Sequence, residues 1–340
     1  MYERVGLPEA LECMASQVID ALEVNTMTAT ATLSNGYTAL REGAAWMDLS
    51  GRGKIRAIGE DRARLLHAMT TNQVETLKPG EGCYAFFLTA QGRILADANL
   101  LCFEDHFLID TEPETRTKVY EHLDRYIIAD DVTLEDHTGR MATIAIEGPK
   151  AAVALAELGA PVPAGPYSSV SWKFGTVAHL DTTGKGGFFL FIPTEEKEAV
   201  LSQLFKAGFP EATAEDARVV RIESGRPRYG EEITERYLVQ ETDQLRAVNF
   251  NKGCYLGQEI VERVRSRAQI HRVLRRLEIE TSEPPAAGTK LKSGDADAAE
   301  IASAVFSPAL GKTVALAYVR TQFADPGTPI ALDSAAARVV

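Results

Sequence analysis

The sequence predicts an α+β chain of several domains, with a ferredoxin-like unit in its first half and a small β-barrel at its C-terminus. Three observations carry this. Residues 53–136 run strand, helix, strands, helix, strand, the order of a ferredoxin-like unit with an added strand. Beyond Arg276 the character changes to short apolar strands separated by Gly, Pro, Ser and Asp. At 340 residues, 45% of them hydrophobic, the chain is long enough for about two or three sizeable cores.

Each element has its own signal. Pro8 to Val24 reads as an amphipathic helix with Leu11, Ala15, Val18 and Leu22 on one face. Gly53 to Ile58 alternates like a strand. Glu60 and Asp61 then place negative charge at the start of a helix reaching about Met69. Cys83–Leu88 and Ile94–Phe103 are strands joined by the hairpin-like Thr89-Ala90-Gln91-Gly92. His106–Asp110 is a short strand, Pro113–Ile128 a helix, and Asp131–Asp136 extended. Met141–Ile146 is a strand, and Gly148-Pro149 opens a helix with proline where no amide proton is needed. Phe174–Leu180 and Gly187–Ile192 are strands around a glycine turn. Glu195–Lys206, Ala214–Ser224 and Gln258–Arg267 are helical. Val273–Ile279, Ile301–Phe306 and Thr313–Tyr318 supply strands of the final closed or curled β domain. The implied division is discontinuous: 1–52 with 137–270, then 53–136 inserted, then 271–340.

Composition excludes several classes. The net charge of −12 repels nucleic acid and anionic membrane at long range. The longest apolar runs, such as Gly187 to Pro193, are too short to span a bilayer, and the N-terminus lacks the features of a signal peptide. Cys13, Cys83, Cys102 and Cys254 form no CxxC pair, so no metal site or disulfide framework is expected and a cytoplasmic location is. No nucleotide-binding glycine motif and no GxSxG elbow occurs.

The most informative segment is Lys252-Gly253-Cys254-Tyr255-Leu256-Gly257-Gln258-Glu259. Two glycines bracket a thiol and an aromatic ring, and a helix follows. That helix start and the flanking Lys252 favour a thiolate at Cys254. A glycine turn carrying an inert cysteine is the competing reading. Arg263, Arg265, Arg267, Arg272, Arg275 and Arg276 follow closely. They read either as a solvated face or as a local anion site, because the arginine fork matches a carboxylate.

The octapeptide resembles the signature of YgfZ-type folate-binding proteins, relatives of the aminomethyltransferase (T-protein) of glycine cleavage. Met47-Asp48-Leu49-Ser50, Gly53-Lys54-Ile55, Thr70-Thr71-Asn72-Gln73-Val74, and Arg221-Ile222-Glu223-Ser224-Gly225 with Tyr229-Gly230 resemble further family segments, in the family's order. The resemblance implies a T-protein-like fold and tetrahydrofolate, or a one-carbon-substituted folate, between the domains. It implies an accessory factor for iron–sulfur enzymes, with Cys254 as the functional thiol and iron–sulfur client or assembly proteins as partners. Neither direct nucleic-acid contact nor membrane attachment is expected. The alternative is a folate-dependent aminomethyltransferase. Glu223 takes the pterin-clamping role by resemblance. Tyr229 and Tyr255, with Tyr84, offer stacking faces, and Lys252 and Arg263 complete the expected folate set. In the aminomethyltransferases two adjacent aspartates follow a Gly-Gly-Ile segment. Here the stretch is Gly92-Arg93-Ile94-Leu95-Ala96-Asp97, so only Asp97 remains as a candidate catalytic acid, and since neighbouring strand residues face opposite sides it does not simply replace the missing one. The missing first acid weighs against aminomethyl transfer.

Overall fold

The structure, a computed structural model, describes residues 34–267 and 270–340. The helix expected over Pro8–Val24, and Cys13, lie outside the described residues. Helix α1 (Asn35–Glu42), strands β1 (Ala45–Asp48) and β2 (Gly53–Ile58), helix α2 (Arg62–Met69) and strands β3 (Gly82–Leu88), β4 (Ile94–Cys102) and β5 (His106–Thr111) come first. Helix α3 (Arg116–Asp124), strands β6 (Thr133–Asp136) and β7 (Met141–Glu147), helix α4 (Ala151–Glu157) and strands β8 (Ser169–Trp172), β9 (Gly175–Ala178) and β10 (Gly187–Pro193) follow. Helices α5 (Lys197–Lys206), α6 (Ala214–Glu223) and α7 (Gln258–Arg267) lead into strands β11 (Arg272–Ile279), β12 (Lys290–Ser293), β13 (Ala296–Ser307), β14 (Lys312–Arg320), β15 (Pro329–Leu332) and β16 (Ala335–Val339).

Two antiparallel sheets form, in the orders β1-β7-β10-β9-β8 and β3-β4-β5-β2-β6, and the last six strands close a barrel. The sheets meet face to face. Leu101 and Leu108 of one join Met47, Ala145, Phe189 and Phe191 of the other in one buried cluster. Helices cover the outer faces: Leu65, Leu66, Val119 and Leu123 pack on Ala96, Ala98 and Leu100, and Ala154, Leu155, Val200 and Leu204 pack on Ile144, Leu190 and Ile192. This double burial explains why β10 reads as an unbroken apolar run without alternation.

Helix α6 starts with a reciprocal cap. The Thr213 hydroxyl accepts from the Asp216 amide, and the Asp216 carboxylate accepts from the Thr213 amide. Its far end rests on the barrel, where Ile222 packs with Leu274, Val305, Leu316 and Tyr318. The strand–helix–strands–helix–strand order of residues 53–136 appears as β2-α2-β3-β4-β5-α3-β6. The expected helix over Pro113–Ile128 is shorter: Pro113–Thr115 is a tight 3-10 turn and α3 ends at Asp124. Strands β8, β12, β15 and β16 had no sequence signal. They are four or five residues long, and β12 buries only Leu291.

The segment 246–257 is stitched onto the second sheet. The Thr71 hydroxyl donates to the Ala247 carbonyl at 2.6 Å and accepts from the Phe86 amide at 2.9 Å. Asn72 Nδ2 donates to the carbonyls of Tyr84 and Arg246 at 2.8 and 3.0 Å. Gly257 closes the stitch with φ +83°, and a Cβ there would sit 2.7 Å from the Thr89 carbonyl oxygen. Left-handed backbone and missing space both demand glycine. Gly257→Ala is therefore expected to cost about 2 kcal/mol or more in denaturant unfolding. A loss within ~0.5 kcal/mol, the range of an ordinary surface change, would contradict this close approach.

Candidate functional site: a central cavity around Asp97

A cavity of about 590 Å³ opens between the two sheets and helix α6. Such a volume suits a cofactor-sized ligand. Its wall is built by strand alternation. On β4 the even positions Ala96, Ala98 and Leu100 belong to the core under α2 and α3, while Asp97 and Asn99 line the cavity. Ala96 is fully buried in that core. An acid at position 96 would thus point into hydrocarbon, and the retained acid is the one that faces the cavity.

Tyr84, on the neighbouring strand β3, donates its hydroxyl to Asp97 Oδ2 at 2.8 Å. Asp97 is only 8% exposed. Burial pushes its pKa up to about 6 and the Glu112 carboxylate adds to this, while the Tyr84 hydrogen bond, Arg52 and Arg228 oppose it. Below the wall runs a chain of ion pairs. Arg52 holds Asp110 through two nitrogens, at 2.8 and 2.9 Å, and also pairs with Glu112. Arg228 reaches Glu112 at 2.9 Å and Glu114 at 2.7 Å. Burial alone would raise the Glu112 pKa, yet Arg52 and Arg228 hold it below the usual carboxylate value.

Opposite, α6 presents Ala214, Ala217, Arg218 and Arg221 to the cavity, at helical spacing i, i+3, i+4, i+7. Arg218 and Arg221 are neutralised by Glu231 and Glu232. Two lining arginines, Arg226 and Arg246, have no carboxylate partner among the described residues. Arg226 makes a long contact to the Asp181 carbonyl at 3.4 Å and lies beside the Tyr167 hydroxyl, and Arg246 lies over the Tyr84 ring at 5.0 Å. The remaining edge, Asp181 and Thr182, is fixed by Glu147. Its fully buried carboxylate accepts from the amides and hydroxyls of Thr182 and Thr183 at 2.6–2.8 Å. Burial and the nearby Asp181 charge raise the Glu147 pKa.

Most of the expected folate residues lie elsewhere. Glu223 does not line the cavity. It sits two residues beyond Arg221, about 200° round the helix. Its carboxylate accepts from the Tyr37 hydroxyl at 2.7 Å, the Ser307 hydroxyl at 2.6 Å and Arg41 at 3.2 Å. It ties α1, α6 and the barrel together. Tyr229 and Tyr255 are buried in an apolar cluster with Phe86, Leu88 and Val261. Lys252 is a buried staple: its ammonium donates to the carbonyls of His67, Thr70 and Asn72 at 2.6–2.7 Å, and burial lowers its pKa to about 8. Of the octapeptide, Gly253, Cys254 and Glu259 are exposed, Gln258 Oε1 accepts from the Tyr255 amide, and none of these lines the cavity. Arg263 is exposed and lines a separate surface cleft.

The sequence reading missed Arg52, Asn99, Arg226 and Arg246 as cavity residues. Alternation from Asp97 identifies Asn99. The arginines carry no local signal, because distant segments bring them together.

Two outcomes are expected. The folded Asp97 pKa lies above the ordinary carboxylate value of 3.8, so the folded state binds more protons than the unfolded state between about pH 4 and 6. Its stabilising contribution is full below about pH 4 and is lost as pH rises through about 6. Asp97→Asn removes this loss and should raise stability above pH 7 by roughly 2–3 kcal/mol in unfolding titrations. An unchanged pH profile would contradict the shift. Lys252→Met strands three carbonyls and should destabilise by roughly 2–4 kcal/mol in denaturant unfolding.

No helix among the described residues is long and apolar enough to cross a membrane. The GCVT N-terminal domain family matches residues 23–252, and the glycine cleavage T-protein C-terminal barrel domain matches residues 272–340. The chain is 28% identical to an aminomethyltransferase of Chloroherpeton thalassium over 84% of this chain and 82% of that one. It is 29% identical to an aminomethyltransferase of Streptomyces coelicolor, over 86% and 82%. Its fold matches the crystal structure of the glycine cleavage system aminomethyltransferase T from Bartonella henselae with a TM-score of 0.82 at 20% identity, covering 89% of this chain and 87% of that one. With its mixed α/β core and closed six-strand C-terminal barrel, the chain belongs to the GCVT N-terminal domain family and so to the T-protein superfamily.

Proposed function

We propose that the protein binds a tetrahydrofolate in the central cavity and transfers a one-carbon unit to it, a reading supported by relatives that are named aminomethyltransferases. The observation that carries this reading is Asp97. It is the one acid kept from the family's pair, it lines the cavity, and its raised pKa of about 6 suits proton exchange near neutral pH. Ala96 faces the core, so its substitution no longer counts against transfer.

The residues fit the group. Arg226 and Arg246 lack carboxylate partners among the described residues and match the carboxylates of a folate tail. When bound, the folate supplies the two nitrogens that take up the one-carbon unit. Asp97 holds or releases a proton at its carboxyl, and the Tyr84 hydroxyl fixes its orientation. The Thr182 edge, clamped by Glu147, limits water entry beside it. In balance, a methylene group leaves an aminomethylated thiol carrier for the folate. Two protons leave the folate nitrogens, one ending on the carrier thiol and one on ammonia.

A second reading is favoured by one observation: Lys252 pins its loop so that Cys254 stands exposed outside the cavity. This supports the YgfZ-type role of a cytoplasmic accessory factor for iron–sulfur enzymes, in which folate is bound without turnover.

The test uses purified protein with tetrahydrofolate and an aminomethyl-loaded lipoyl carrier. Transfer predicts methylenetetrahydrofolate and ammonia in equal amounts, with Asp97→Asn reducing the rate by about 100-fold or more at near-normal folate affinity. Tight folate binding without product overturns the transfer reading. In that case, loss of client iron–sulfur enzyme activity in cells carrying Cys254→Ser supports the second.

A further inference from the structure

A second cleft lies outside the central cavity, between the β3–β4 hairpin and helix α7. The helix contributes Ile260, Arg263, Val264 and Arg267, a stripe at spacing i, i+3, i+4, i+7. The hairpin packs closely on it, since a Cβ at Gly92 would lie 2.7 Å from the Ile260 Cβ. Ile260, Val264 and Leu238 are half-buried and make an apolar floor. Arg93, Arg263, Arg267 and His271 are exposed around it.

The charge is uncompensated. Among the described residues no Asp or Glu lines the cleft, and none of these three arginines forms an ion pair. Arg93 donates only to the Arg236 carbonyl, at 2.8 Å. Glu262 is turned to Arg265, and Glu259, one turn before Arg263, pairs with neither it nor another base among the described residues. This concentration stands out on a chain of net charge −12.

We infer that this cleft docks an acidic, amphipathic polypeptide segment of a partner protein. Arginine rims around apolar floors are the usual composition of protein interfaces. Nucleic acid is disfavoured because, among the described residues, the small imidazole of His271 is the one ring at the cleft, and no Tyr, Trp or Phe lines it for base stacking. The surface is independent of the folate reading, and its test uses no folate.

The experiment measures fluorescence anisotropy of a labelled peptide of alternating glutamate and leucine with the full-length protein. Binding is expected, weakening as salt rises. The exposed pair Arg263→Glu/Arg267→Glu should reduce affinity by about tenfold or more. A charge-matched control at two exposed lysines, Lys150→Glu/Lys206→Glu, should change it by less than about twofold. Circular dichroism melting confirms that both variants fold. Failure of the wild-type protein to bind, equal binding by the Arg263/Arg267 variant, or tighter binding of a single-stranded oligonucleotide would each overturn the inference.

Discussion

The buried fork of Arg52 is the interaction on which the site depends. It leaves the loop after β1 and grips Asp110 of the second sheet and Glu112 just beyond the end of β5, so it joins the two sheets at the cavity wall. Asn99 Nδ2 reaches the same Asp110 carboxylate at 2.8 Å, and Arg228 extends the chain to the segment after α6. Beneath it Lys54, fully buried, donates to the carbonyls of Ser50 and Arg52 and keeps the loop shaped. A buried pair of this kind adds little net stability compared with a packed apolar one, but breaking it strands a charge. Its value here is geometric and electrostatic. Glu112 raises the Asp97 pKa, while Arg52 and Arg228 restrain that rise. The network therefore shapes the wall and adjusts the proton affinity of its acid, which burial raises most.

The octapeptide acquires a physical explanation that differs from its apparent one. Lys252 satisfies three carbonyls at and just beyond the end of α2, including that of His67, where unpaired carbonyls otherwise face a buried loop. Gly257 lets the chain pass against Thr89, and Tyr255 fills the core beside Tyr84. These residues hold Arg246 over the Tyr84 ring through the stitched 246–257 segment. The signature thus supports the cavity from behind and presents Cys254 on the opposite side, to solvent.

Much of the fold was legible because its signals are local. Periodicity and the punctuation of the barrel strands each follow from neighbours in sequence. Strand alternation showed that positions 96 and 97 face opposite sides, but which of them faces the cavity was not legible in the sequence. Glu223 was misplaced because its apolar neighbours suggest a cavity edge, whereas the helical repeat turns Arg221 to the cavity and Glu223 to the barrel. Lys252 and Tyr255 were misplaced because burial depends on what the distant Thr70-Thr71-Asn72 turn brings to them. Arg226 and Arg246 gain meaning only from having no carboxylate partner among the described residues, which no stretch of sequence displays.

The central claim is that the Asp97 cavity, and not the signature loop, receives the folate. Hydrogen exchange of the backbone amides with and without tetrahydrofolate tests it most directly. Protection is predicted in β4 around Asp97, in Thr182 and Thr183, and around Arg226 and Arg228, with little change at Glu223 or from Gly253 to Tyr255. Protection confined to Gly253–Tyr255 or to the end of α6, with β4 unchanged, would contradict the account.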